Sequence, residues 1–214
     1  YWKDVRIAVE RTFRSVHAVQ VATHELAEYI RQFNPVVGVF QNSFFSLPPL
    51  PLNRLGGNGI RLFFGAINRE QDWAPLIEDL NAELRLHPDF WSFSIVHDRK
   101  FYDSLDLPPS RKSFTPACSY EKYLREMAQC DAAFLPLQDT PFNQLKSNLK
   151  AIESGAHGLA ILASDVLYKR SLVEGVTAQL FSDSAELRRH LKLWRAEPDR
   201  VRRLGNQARL WVAR

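Results

Sequence analysis

Cysteine is scarce in this chain: Cys118 and Cys130 are the only two in 214 residues. They have no second pair, which is not a zinc-site spacing. Two reduced thiols in a cytoplasmic protein are expected instead. The six histidines are scattered without metal-ligand spacing, so no bound metal is expected. No Gly-x-Gly-x-x-Gly follows an apolar run, which removes the phosphate turn that a dinucleotide oxidoreductase needs. No stretch approaches the roughly 20 apolar residues that span a bilayer. No signal-peptide pattern opens the chain at Tyr1, which is expected to start inside a longer protein or to have been trimmed. Internal repeats and low-complexity tracts are also missing. No aromatic-plus-basic stacking pattern points to nucleic acid as a partner.

What is present suits a soluble globular protein: 45% hydrophobic and 24% charged residues, enough to build a substantial core. The net charge of +4 is unevenly placed. From Arg188 to the end there are nine Lys/Arg against Glu197 and Asp199, so 9 − 2 = +7. Two readings stand for residues 188–214: a solvated face of terminal helices, or a surface drawn to an acidic partner such as the inner face of a membrane.

Strands and helices alternate along the chain. Residues 16–23 read as a short strand, and Thr23 caps a helix beginning at His24. Val36 to Phe40 reads as a buried strand ending at Asn42. Leu47 to Leu52 holds three prolines and reads as a linker, with a flexible turn at Gly56 to Gly59. Ile60 to Phe64 is the next strand, followed by a loop and a helix from Glu70 that buries Trp73, Leu76, Ile77, Leu80 and Leu84. Strands are expected at 91–96, 112–115, 131–137, 158–164 and 176–181, with a helix at 120–129 and two basic helices at the end. This alternation predicts an α/β fold, a Rossmann-like parallel sheet with helices on both faces. Arg69 sits where such folds place ligands, between a strand end and a helix start. His97 also stands at a strand end, as a rim residue or a cleft residue.

The run Phe142 to Glu153 is the most informative. On one continuous helix, Lys146, Lys150 and Glu153 would share a face. The small residues Ser154-Gly155-Ala156 then imply close packing on a sheet, which places that charge near a crevice. Ammonium groups neutralise phosphate oxygens, and a carboxylate accepts hydrogen bonds from hydroxyls. A solvated Lys–Glu face is the plainer alternative.

Asp131-Ala132-Ala133-Phe134-Leu135-Pro136-Leu137, then Phe142-Asn143, Lys146-Ser147, Lys150, Glu153, Gly158 and Leu162-Ala163-Ser164, resemble the C-terminal half of GT-B glycosyltransferases. The narrower resemblance is to the retaining, nucleotide-sugar-using enzymes of bacterial polysaccharide biosynthesis. It implies a GT-B C-terminal domain at 60–214, a linker at 47–59, and a strand-helix-strand remnant of the N-terminal domain at 1–46. It implies donor-phosphate contacts from Arg69, Lys146 and Lys150, and ribose or sugar contacts from Glu153, Asn143 and Ser147. It implies base contacts from Thr115, Pro116 and Cys118. The family's glutamate pair has its first member eight residues before the second; Leu145 stands at that position.

The implied activity is glycosyl transfer from a UDP- or GDP-type nucleotide-sugar to a glycan, lipid-linked or protein acceptor, retaining and metal-independent, with no cofactor. The alternative is a non-catalytic nucleotide-sugar-binding or structural module of a larger protein.

Overall fold

The computed structural model describes residues 2–51 and 59–214. Residues 52–58, which hold most of the turn expected at Gly56 to Gly59 and part of the linker expected at 47–59, lie outside the described residues. The chain begins with α1 (Trp2–Ser15), which the sequence reading did not anticipate, followed by β1 (Val19–Val21), α2 (His24–Arg31) and β2 (Val37–Val39). Thr23 caps α2 as expected, its hydroxyl accepting from the Leu26 amide at 3.1 Å. β1 and β2 pair in parallel, Val19 opposite Val37 and Val21 opposite Val39. Val21, Ala27 and Ile30 form a small core of their own beneath Phe13 and Tyr29. β2 is half-buried rather than buried, because a two-stranded sheet leaves each strand an open edge.

The remaining strands are β3 (Ile60–Gly65), β4 (Trp91–Val96), β5 (Lys112–Thr115), β6 (Ala132–Leu135), β7 (Ala160–Ser164) and β8 (Gln179–Phe181). Between them lie α3 (Glu70–Trp73), α4 (Ile77–Leu86), α5 (Arg99–Ser104), α6 (Tyr120–Ala128), α7 (Pro141–Gln144), α8 (Leu149–Ala156) and α9 (Asp165–Tyr168). α10 (Ser184–Ala196) and α11 (Pro198–Val212) close the chain. The helix expected from Glu70 is interrupted by a 3-10 turn over Ala74–Leu76, since Pro75 has no amide to continue the ladder. Trp73, Leu80 and Leu84 are buried there; Leu76 and Ile77 are only partly so.

All six strands run parallel in the order β5-β4-β3-β6-β7-β8. Adjacent side chains on a strand point to opposite faces, and the core divides accordingly. Leu62 and Phe64 pack with Trp73, Leu84, Phe101 and Trp194 on one face. Phe63 packs with Met127, Ala151, Tyr168 and Ala208 on the other. Each large apolar side chain fully buried contributes about 1.5–3 kcal/mol. Helices therefore cover both faces, as the alternating pattern predicts.

α11 lies unusually close to the sheet. Gly158 leaves α8 at φ +67, a conformation glycine adopts at little cost. Its carbonyl then sits against Gly205 of α11, where an added Cβ would fall 2.3 Å from the Gly158 oxygen. That oxygen and the Ala160 nitrogen at 3.1 Å are both backbone, not the far end of a flexible side chain that could swing aside. Gly205→Ala is expected to lose about 1–3 kcal/mol of stability, seen as a lower urea midpoint with an unchanged slope.

Candidate functional site

The strand order places a topological switch between β3 and β6: the chain leaves β3 toward β4 on one side and returns to β6 on the other. Crossover loops diverge at such a point, and a crevice opens beyond the carboxyl ends of the two strands. A cavity of about 630 Å³ lies there, walled by Gly65 and Ala66 after β3 and by Leu135 to Leu137 after β6. Three cations enter it: Arg69, Lys146 and Lys150.

Arg69 is held by a buried acid, Lys150 by backbone, and Lys146 lies over an aromatic ring. Arg69 pairs with Asp72 and donates to Asn143 Oδ1 at 2.8 Å. Asp72, 6% exposed, also accepts from Asn143 Nδ2 at 2.8 Å and from the Gln138 amide at 2.9 Å. Lys150, in the first turn of α8, donates Nζ to the Gly65 carbonyl. Lys146 precedes that helix, with its ammonium 4.8 Å from the centre of the Phe142 ring. The N-terminus of α8 has no side-chain cap, so its first amides add partial positive charge beside the two lysines.

The electrostatics show a site short of negative charge. Burial, then the nearby Arg69, lowers both Lys146 and Lys150 to about 8. Glu153 is buried and its carboxyl is pushed up by that burial, against a hydrogen bond from the Tyr120 hydroxyl at 2.7 Å. Burial, and then the same contact, push Tyr120 up to about 12. Tyr120, Tyr123 and His97 form a run of near-parallel rings along this wall, with interplanar angles of 14° and 12°.

Six of the nine residues singled out in the sequence line the cavity: Arg69, Lys146, Lys150, Glu153, Ser147 and Cys118. Asn143 does not. It is 4% exposed, and its amide is engaged by Arg69, Asp72 and the Gln138 carbonyl, so it holds the arginine in place. Thr115 ends β5, where its carbonyl accepts from the His97 amide at 2.9 Å, and neither it nor Pro116 reaches the cavity wall. His97, a rim or cleft residue in the sequence reading, lines it, and so do Tyr120, Tyr123 and Tyr168, which had no site role in that reading.

The continuous helix expected across Phe142 to Glu153 is two helices, α7 and α8, separated by residues 145–148. A continuous helix would use the carbonyls of Gln144 and Leu145 for the amides of Asn148 and Leu149. Here Arg170 donates to the first at 2.7 Å and Thr23 to the second at 3.1 Å. Lys146 therefore reaches the cavity from a turn, and also lines a second, more polar cavity of about 500 Å³ with Thr23, Glu25, Asn42 and Arg170. In the basic C-terminal region, Arg188, Arg189, Arg195, Arg200 and Arg202 each face an acid at 3.1–3.9 Å. Among the described residues no His, Cys, Asp and Glu side chains group as metal ligands, and no helix is long and apolar enough to cross a membrane.

No family model and no curated protein matches this chain. Solved structures do. HepE from Anabaena, solved with UDP-glucose, superposes with a TM-score of 0.74 at 15% identity over 99% of this chain and 63% of its own. Sucrose-phosphate synthase from Thermosynechococcus elongatus gives 0.70 at 19% identity over 97% and 56%. A TarM variant from S. aureus, solved with fondaparinux, α-GlcNAc-glycerol and UDP, gives 0.72 at 10% over 98% and 43%. The chain thus has the fold of GT-B glycosyltransferases, as its resemblance implies, and spans about half the length of these structures.

The lowered lysines set a sign for pH dependence. Below about pH 8 both are charged whether the chain is folded or not, and the cost of burying that charge is fully present. Between about pH 8 and 10.5 the unfolded chain binds more protons, so stability rises with pH. Lys150→Met is expected to flatten that rise in thermal melts between about pH 8 and 10, before the tyrosines titrate.

Proposed function

We propose that this chain is the donor-binding part of a glycosyltransferase that moves a sugar from a nucleoside-diphosphate sugar to a glycan, lipid-linked or protein acceptor. The observation that carries the reading is the convergence of Arg69, Lys146, Lys150 and the uncapped α8 N-terminus on one cavity at the switch point. Two lysines lowered to about 8 by burial and by a neighbouring arginine are what a site built for a multivalent anion looks like before the anion arrives. The fold-level neighbours support the class of ligand, two of them having been solved with UDP or UDP-glucose.

In the reaction proposed, the bond between the anomeric carbon and the diphosphate oxygen breaks. Negative charge grows on the leaving diphosphate, and the three cations stabilise it more in the transition state than in the ground state. Arg69 is fixed by Asp72 and Asn143, so it need not reorganise as charge develops. The cations are placed to neutralise the diphosphate without a divalent ion. Glu153, steadied by Tyr120, accepts from ribose or sugar hydroxyls. Retention of anomeric configuration is part of the proposal through the family resemblance. The alternative, a non-catalytic nucleotide-sugar-binding module, draws on Leu145, whose carbonyl is taken by Thr23 and whose side chain offers no carboxylate.

Calorimetry with UDP and GDP at about pH 8 tests the reading. One of them is expected to bind with net proton uptake, because the diphosphate raises both lysine pKa values again and the nucleotide itself is fully ionised there. Lys150→Ala is expected to weaken binding at least about tenfold, as the loss of a charge-assisted hydrogen bond does, without changing the far-UV spectrum. Unchanged affinity in that variant would remove the phosphate assignment.

A further inference from the structure

His97 carries a backbone anomaly that its fold position does not require of a histidine. It stands immediately after β4 at φ +74, one of two non-glycine residues in the left-handed region among those described; the other is Asn68, next to Arg69. The turn there is tight: the His97 amide binds the Thr115 carbonyl at 2.9 Å, and Asp98 already caps α5 by accepting from the Phe101 amide at 3.0 Å. Glycine makes such a turn at lower cost. A bulky residue kept in this conformation at a cavity wall is the signature of a functional constraint. Its ring lies nearly parallel to Tyr123 at 6.3 Å, and Tyr123 lies nearly parallel to Tyr120 at 6.1 Å. His97 lines the cavity, and since its Nδ1 is buried, it does so with the rest of the ring.

We propose that His97 is a specificity-determining residue that reads the nucleobase of the donor, the part of its imidazole that lines the cavity meeting an edge of the base on the aromatic side. The inference rests on the donor-site reading above. The cavity is continuous, with cations for the diphosphate and a wall of aromatic rings in the same space. A flat heteroaromatic base fits beside aromatic faces and presents in-plane donors and acceptors to a ring nitrogen. A sugar needs several hydrogen-bonding groups for its hydroxyls, and along this wall the Tyr120 hydroxyl is already given to Glu153.

The test is calorimetry of the whole chain and of His97→Gly with inorganic pyrophosphate, UDP, GDP, ADP, CDP and the sugar conjugate of the preferred nucleotide. Glycine adopts the required φ; His97→Asn, whose side chain also tolerates it, is the second variant, and circular dichroism confirms both fold. The expected result is that His97→Gly binds pyrophosphate within about twofold of the parent, loses at least about tenfold for the preferred nucleotide, and no longer distinguishes the bases. Unchanged preference among bases in both variants overturns the inference. So does a loss confined to the sugar conjugate, which would move His97 to the sugar. A parent chain that binds pyrophosphate as tightly as any nucleotide has no base subsite, and this also overturns it. Failure of the parent to bind any of these ligands overturns the donor-site reading, and the inference falls with it.

Discussion

The buried carboxylate of Asp72 ties together what the sheet topology pulls apart. It stands on α3, in the segment that follows β3, and receives Arg69 from just before that helix, and Asn143 of α7 and the Gln138 amide from the segment that follows β6. These two segments leave adjacent strands at the switch point and diverge from there. Without a link across them, the crevice would have walls but no defined separation. A carboxylate this buried is stable only while its partners are in place, so the network fixes the crevice and aims the arginine together.

The rest of the site is arranged around that fixed edge. Lys150 spans from α8 to the Gly65 carbonyl at the end of β3, and Lys146 approaches from the turn before α8. Burial in a space that solvent only partly reaches, and then the charge of Arg69, lower both ammonium groups. On the other wall the electrostatics run in the opposite sense. Glu153 is held by a tyrosine hydroxyl rather than by a full counter-charge. The cavity thus has a cationic side and an aromatic side with few charges, a division that suits the two ends of the nucleotide proposed above.

Close packing of α11 has a related consequence. Gly155 and Gly205 let α8 and α11 sit against one another and against the β7 turn. Arg209 of α11 donates to the Ala156 carbonyl and, at 2.8 Å, to the Pro48 carbonyl. The helix that carries Lys150 and Glu153 is therefore braced from behind by the last helix of the chain.

Much of this could be read from local pattern. The limits of β4 and β5, the Thr23 cap and the alternating α/β order follow from short-range periodicity and capping chemistry, and they hold because propensity and burial agree there. The charged residues near the cavity were legible because Lys146, Lys150 and Glu153 stand beside a small-residue helix end. Tertiary contacts decided the rest. The break at 145–148 exists because Arg170 and Thr23, far away in sequence, take carbonyls that a continuous helix would use. Asn143 turned inward because Asp72 and Arg69 meet it there, and no spacing along the chain encodes that meeting. The left-handed conformation of His97 leaves no trace in composition. By itself the sequence determined the class of fold and the kinds of charge available. Only the tertiary structure decided which of them converge, because strand order sets which loops become neighbours and burial sets what their charges require.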